Sequence, residues 1–266
     1  MTNNYIQADQ QLHRLCQIIA KANRTFVRAK KDDSHTNIGF NTQKGQLEGR
    51  WIETERNRIR LILRLSDVCF VWVDENENNL QTVSTAKKHV IEIETQLKKT
   101  LEREQLDISK FQDPLHFQIP DYTFIGQPVA LLSRLALNEW IHWRSLANDA
   151  CNYLLKSFKE TGEVRLWPHH FDTGIYMDLN EKLGIGFGLA MKDDMVGAPY
   201  FYATCFPKEG KADYSGINEL EYGHWIVNEW HGAVLSLDDL QIQTKKVTKT
   251  IIEKFIYETM NWYNTM

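Results

Sequence analysis

The sequence predicts an α+β fold, with antiparallel sheets packed by helices in two helix–strands–helix halves. Three observations carry this reading. Short β-prone segments come in consecutive runs and do not alternate singly with helices. Each run is flanked by segments whose apolar residues recur at three- and four-residue steps. Between the runs, residues 105–128 lose periodicity and carry Pro114, Pro120 and Pro128. The expected organisation is an N-terminal half over 1–110, a linker over 111–128 and a C-terminal half over 129–266, with the halves free to pack as one domain.

The first helix is expected from about Asp9 to Ala29, on the stripe Leu12, Leu15, Cys16, Ile19 and Ala22. Strands follow at NIGF near Asn37, LEGRWIE from Leu47, RIRLILRL from Arg58 and VCFVWV at Val68–Val73. Arg58, Arg60 and Arg64 alternate with Ile59, Leu61, Leu63 and Leu65, as in a strand with one wet face. DENENN is a polar turn. Ser84 is a candidate cap for a helix with Val90, Ile93, Leu97 and Leu101 in its stripe. A long apolar helix is expected from about Gln127 to Lys159, ended by Gly162 as a C′ glycine. Then come VRLWPHHF, GIYMDL, GIGFGLAMK, PYFYATCF, GHWIV and GAVLSL, all short enough for strands. A last helix is expected from about Asp238 to Tyr263, capped by Ser236 or Asp238.

Composition narrows the function classes. The chain has 266 residues, enough to bury a core without disulfides or structural metal. Its 31 Lys+Arg against 35 Asp+Glu give a net charge of −4, which argues against a general affinity for the nucleic-acid backbone. No apolar run approaches the roughly 20 residues of a membrane-spanning helix, and the N-terminus lacks the pattern of a signal peptide. Cys16, Cys69, Cys151 and Cys205 lie far apart, as reduced, mostly buried thiols of a cytoplasmic protein do. No G-x-S-x-G elbow, P-loop or H-E-x-x-H helix is present, which removes the commonest serine hydrolases, P-loop NTPases and zinc peptidases.

Two stretches draw the search for a site. GIGFG, Gly184–Gly188, is not the dinucleotide fingerprint G-x-G-x-x-G. On a strand its three glycines face one way, bare enough for a ring, a backbone or a ligand to approach, and packing under a large aromatic is the plainer reading. WPHHFD, Trp167–Asp172, carries the densest chemistry. If extended, His169 and Phe171 face one way, His170 and Asp172 the other. Glu229 and His231 share a face in a second extended stretch. His170, Asp172, Glu229 and His231 on neighbouring strands would make a set able to hold a divalent metal or to run acid–base chemistry. Core histidines satisfied by backbone or by one carboxylate are the plainer alternative. Cys205, without nucleophile context, reads as a small buried apolar residue.

HHFD at His169–Asp172, P-Y-F-Y at Pro199–Tyr202 with Pro207, GAVLSLDDL at Gly232–Leu240 and LHRLCQIIAK at Leu12–Lys21 together resemble a bacterial family catalogued as domain of unknown function five-nine-nine-six. The resemblance spans most of the chain in the same order. It implies that His169, Phe171 and Asp172 occupy a recurrent H-x-F-D pattern, and that His170 falls where histidine is not required. It lends no mechanism.

The sequence therefore points to a protein that binds a small molecule, or an enzyme of undefined reaction. In that reading His169, Asp172, His231 and Glu229 are the catalytic candidates, and Trp167, Phe171, Tyr202, Trp230 and His224 the ligand-binding ones. A divalent metal is the cofactor candidate. Neither nucleic acid nor membrane is an expected partner, and the oligomeric state is left open. The alternative is a non-catalytic interaction or scaffold protein, whose aromatics fill a core or an interface.

Overall fold

The computed structural model describes residues 3–228, 230–241 and 243–266. It is an α+β fold with two antiparallel sheets, as the sequence predicts. Backbone contacts divide the chain into two units. The first comprises Thr2–Ile141 and Arg165–Phe171, the second His142–Val164 and Asp172–Met266.

The first unit opens with α1 (Asn3–Phe26), whose expected apolar stripe is fully buried. The helix begins about two turns earlier than expected, because Tyr5 and Ala8 extend that buried surface. The first sheet runs β1 (Gly39–Asn41), β2 (Gln46–Glu48), β4 (Arg58–Arg64), β5 (Cys69–Asp74), β6 (Asn79–Ser84), with β3 (Ile52–Glu53) on β4. LEGRWIE is thus two strands. The chain turns away at Gly49, where a β-carbon would stand 3.0 Å from both the Asn23 side chain and the Leu61 carbonyl. Helix α2 (Val90–Arg103) is capped by His89 and not by Ser84, which ends β6. The His89 N–H donates to Glu92 Oε2 at 2.7 Å, closing a capping box.

Residues 111–128 belong to the first unit. This segment has few ladder partners, so side chains of α1 satisfy its carbonyls. Arg14 donates to Phe124 and Gln127 (3.2 and 2.8 Å), and Arg24 to Lys110, Asp113 and Pro114 (2.9–3.1 Å). Helix α3 (Arg134–Ser157) starts later than expected because the backbone at Val129 is paired with Lys87 and Lys88. Its end is set by Lys159 and not by Gly162. Lys159 takes a left-handed φ of 56°, and the Glu160 N–H returns to the Leu155 carbonyl at 2.9 Å. The unit boundary falls inside α3, between Ile141 and His142. Strand β7 (Arg165–Leu166) rejoins the first unit through an antiparallel bridge from Leu166 to Ile38.

In the second unit the antiparallel order is β11 (His224–Ile226), β12 (Gly232–Ser236), β10 (Tyr200–Pro207), β9 (Leu183–Ala190), β8 (Thr173–Asp178). Its inner face carries Ile175, Ile185, Phe187, Leu189, Phe201 and Ala203, all buried. Against this face lie the C-terminal part of α3, through Arg144 and Cys151, and α4 (Lys245–Tyr263). The expected helix from Asp238 is in fact a short 3₁₀ turn at Leu237–Asp239, capped by Ser236, before α4 begins at its own cap, Thr244. None of the four cysteines forms a disulfide, and all are buried.

Candidate functional site

Strand register assigns each residue of the second sheet to a face. On β8, β9 and β10 the outer face reads Gly174–Gly188–Tyr202 across one row and Tyr176–Gly186–Thr204 across the next. Val234 pairs with Tyr202 on one side and His224 on the other, so His224 shares that face. A β-carbon on Gly232 would run into the Trp230 indole, which puts Trp230 there too. Asp172, just before β8, lies 3.5 Å through its Oδ2 from the β-carbon position of Gly174. Asp172, Tyr202, Trp230 and His224, from four separate parts of the chain, therefore share one sheet face.

Tyr202 and Asp172 form a pair on this face. The Tyr202 hydroxyl donates to Asp172 Oδ2 at 2.5 Å, in the range of a charge-assisted bond. Burial, and next the Asp172 charge, push the Tyr202 phenol well above its ordinary range. Tyr200 is also raised, by burial and then by its hydroxyl bond to Asp193 at 2.7 Å. Both phenols are donors at neutral pH.

The glycines serve this arrangement. β-carbons on Gly174 and Gly188 would stand 2.9 and 3.0 Å from the Tyr202 hydroxyl. Gly186 lies under Phe206 and Gly184 under the Tyr176 ring. Packing under aromatics accounts for Gly184 and Gly186, whereas Gly188 is held first by backbone, its β-carbon position lying 2.4 Å from the Thr173 carbonyl and 2.8 Å from the Gly174 Cα.

WPHHFD is not a strand. Pro168, His169 and His170 form a turn closed by the Phe171 N–H on the Trp167 carbonyl at 2.6 Å, and Phe171 has a φ of 56°. The alternation expected for an extended segment therefore does not apply. His169 is half-buried among rings of the first unit, 5.6 Å from Phe117 and 6.2 Å from Trp167, whereas Asp172 enters the second unit. His170 is exposed. Phe171 is fully buried, stacked 5.1 Å from the His13 ring.

His231 precedes β12 on the opposite face from Asp172, with its ring 5.3 Å from Tyr214. Tyr214, Trp225, Trp262 and Tyr263 form an aromatic cluster there, with Trp225 and Trp262 4.8 Å apart. His170, Asp172 and His231 thus point to different places, and Glu229 lies outside the described residues. Among the described residues no group of three or more His, Cys, Asp or Glu could hold a metal ion. Cys205 is buried beside the Tyr214 hydroxyl at 3.4 Å, and burial raises its thiol, which is inert packing chemistry.

Two buried polar groupings escaped the sequence reading. Tyr5, Asp9, His13 and Gln17 recur every four residues on α1 and form a second stripe. A carbonyl can only accept, so His13 Nε2 donates to the Pro168 carbonyl at 3.0 Å, and Nδ1 shares a hydrogen bond with the Tyr122 hydroxyl at 2.7 Å. Gln17 donates to the same carbonyl at 2.7 Å, and Trp140 Nε1 donates to Asp9 at 2.7 Å. These bonds hold the WPHHF turn. The four-residue spacing was the available signal. Arg144, fully buried on α3, donates to Thr173 Oγ1 at 3.2 Å and to the Leu189 carbonyl at 3.0 Å. Nothing in its sequence neighbourhood marks it.

No family model, curated protein or solved structure matches this chain.

Proposed function

We propose that the protein binds a small organic molecule at the outer face of the second unit's sheet, with Asp172 as acceptor and Tyr202 as donor. The observation that carries this reading is the Tyr202–Asp172 bond, held where Gly174 and Gly188 keep the sheet clear of side chains. A ligand N–H or O–H competes for the Asp172 carboxylate, and the released Tyr202 hydroxyl donates to a ligand oxygen. Trp230 and His224 supply further contacts on the same face. In a catalysed reaction the same pair would act as a weak general acid and its orienting carboxylate.

The test is a fragment screen by ligand-observed NMR on the native protein, Tyr202→Phe and Asp172→Asn. Hits that vanish in both variants, while each variant unfolds cooperatively, support the site. Hits retained in both sink it.

A docking role is the second reading, favoured by Tyr176 and Phe206. Their rings lie 5.8 Å apart on this face and are 53% and 50% exposed. Self-association or partner capture lost in Phe206→Ser, with fragment binding absent, would favour it.

A further inference from the structure

A separate cavity of about 230 Å³ lies in the first unit. Its walls come from the β4–β5 turn (Ser66, Asp67, Val68), the segment after β6 (Thr85, Ala86), and the approach to α3 with its first turn (Ala130–Leu132, Arg134, Leu137). At about 30 Å³ per water it takes roughly eight water-sized groups.

Its charge is unbalanced. Asp67 is already neutralised by Arg64, through bonds of 2.9 and 2.6 Å. The Arg64 hydrogen bond, outweighing the opposing effect of burial, holds Asp67 below the ordinary carboxylate range. Arg134 has no carboxylate partner among the described residues, so the cavity offers one uncompensated cation. The charge is the side chain's own and not the helix end's, since the N–H groups of Ala136 and Leu137 already bond to Ser133.

Among the lining residues Val68 is apolar and held in a strained backbone conformation. Val68, a β-branched residue, sits at φ 50°, and its carbonyl is pinned by Thr85 Oγ1 at 2.6 Å. At the rim Leu131 is 71% exposed, apolar surface left for a ligand to cover.

We propose that this cavity binds a small amphiphilic carboxylate, its head on Arg134 and its short apolar tail against Val68, Leu131, Leu132 and Leu137. The probe is hexanoate, with eight non-hydrogen atoms, titrated into isotope-labelled protein, with hexylamine as the control of opposite charge. Saturable shifts confined to Ser66–Val68, Thr85–Ala86 and 130–137 are expected, together with about tenfold weaker binding in Arg134→Gln. Val68→Ser tests the tail contact without touching the charge and should weaken hexanoate while leaving acetate unchanged. Hexanoate shifts that fail to saturate, are matched by hexylamine, or persist unweakened in Arg134→Gln would overturn the proposal.

Discussion

The two faces of the second unit's sheet use the same alternation for opposite ends. The inner face is closed by helices. Phe187, Phe201 and Leu235 fill it, and the rings of Tyr214, Trp225, Trp262 and Tyr263 pack on one another there. On the outer face the Tyr176 and Phe206 rings are half-exposed. Glycines make room for Tyr176, Phe206 and Tyr202 to lie close to the backbone, and a carboxylate–phenol pair sits at one end. An aromatic residue on one face is core and on the other is surface chemistry, and composition does not distinguish them.

The comparison breaks most severely at Arg144, the one fully buried cation of the inner face among the described residues. Arg144→Met leaves the Leu189 carbonyl and the Thr173 hydroxyl without a donor. We expect a loss of about 3 kcal/mol in urea unfolding. A loss below about 1 kcal/mol would mean that packing alone holds α3 to β8 and β9.

Next comes the glycine floor. In Gly188→Ala the new methyl meets the Thr173 carbonyl and the Gly174 backbone, which cannot give way. In Gly184→Ala it meets only the Tyr176 ring, half-exposed and free to swing out. We expect about 2 kcal/mol for the first and under about 1 kcal/mol for the second, by the same unfolding measurement. Equal costs would remove the distinction between backbone-locked and ring-covered glycines.

The smallest effect is a pH dependence. Tyr202 binds its proton more tightly folded than unfolded. Its contribution is therefore whole below the unfolded phenol's pKa of about 10 and is lost as pH rises beyond it. Stability should fall from about pH 10 upward, less steeply in Tyr202→Phe than in the native chain. Parallel pH curves for the two would show that the outer-face phenol carries no linkage.

The fold class was legible because it rests on local periodicity. The stripe of α1, the wet and dry sides of β4 and the glycine face of β9 are all written at fixed spacing. The candidate site was legible in part. Asp172, Tyr202, Trp230 and His224 were singled out and share a face, while His169, His170 and His231 were singled out and do not join them. His231 is set apart by its own place before β12, beside Tyr214 on the opposite face, while His169 and His170 have another cause. The histidine motif was read as a strand, but Pro168 and a left-handed Phe171 make it a turn, and a turn cancels the two-residue alternation on which the facing argument depended.

By itself the sequence determined the antiparallel α+β class, the mostly buried character of the cysteines and the aromatic cover of Gly184 and Gly186, because each follows from residue spacing and size along one segment. Only the tertiary structure decided that Tyr202 meets Asp172, that α1 carries a second, polar stripe under the WPHHF turn, and that Arg134 lines a cavity whose acid, Asp67, is already paired with Arg64. Those are meetings between segments 30 to 155 residues apart. They depend on strand register and on where the backbone turns, which no local pattern encodes.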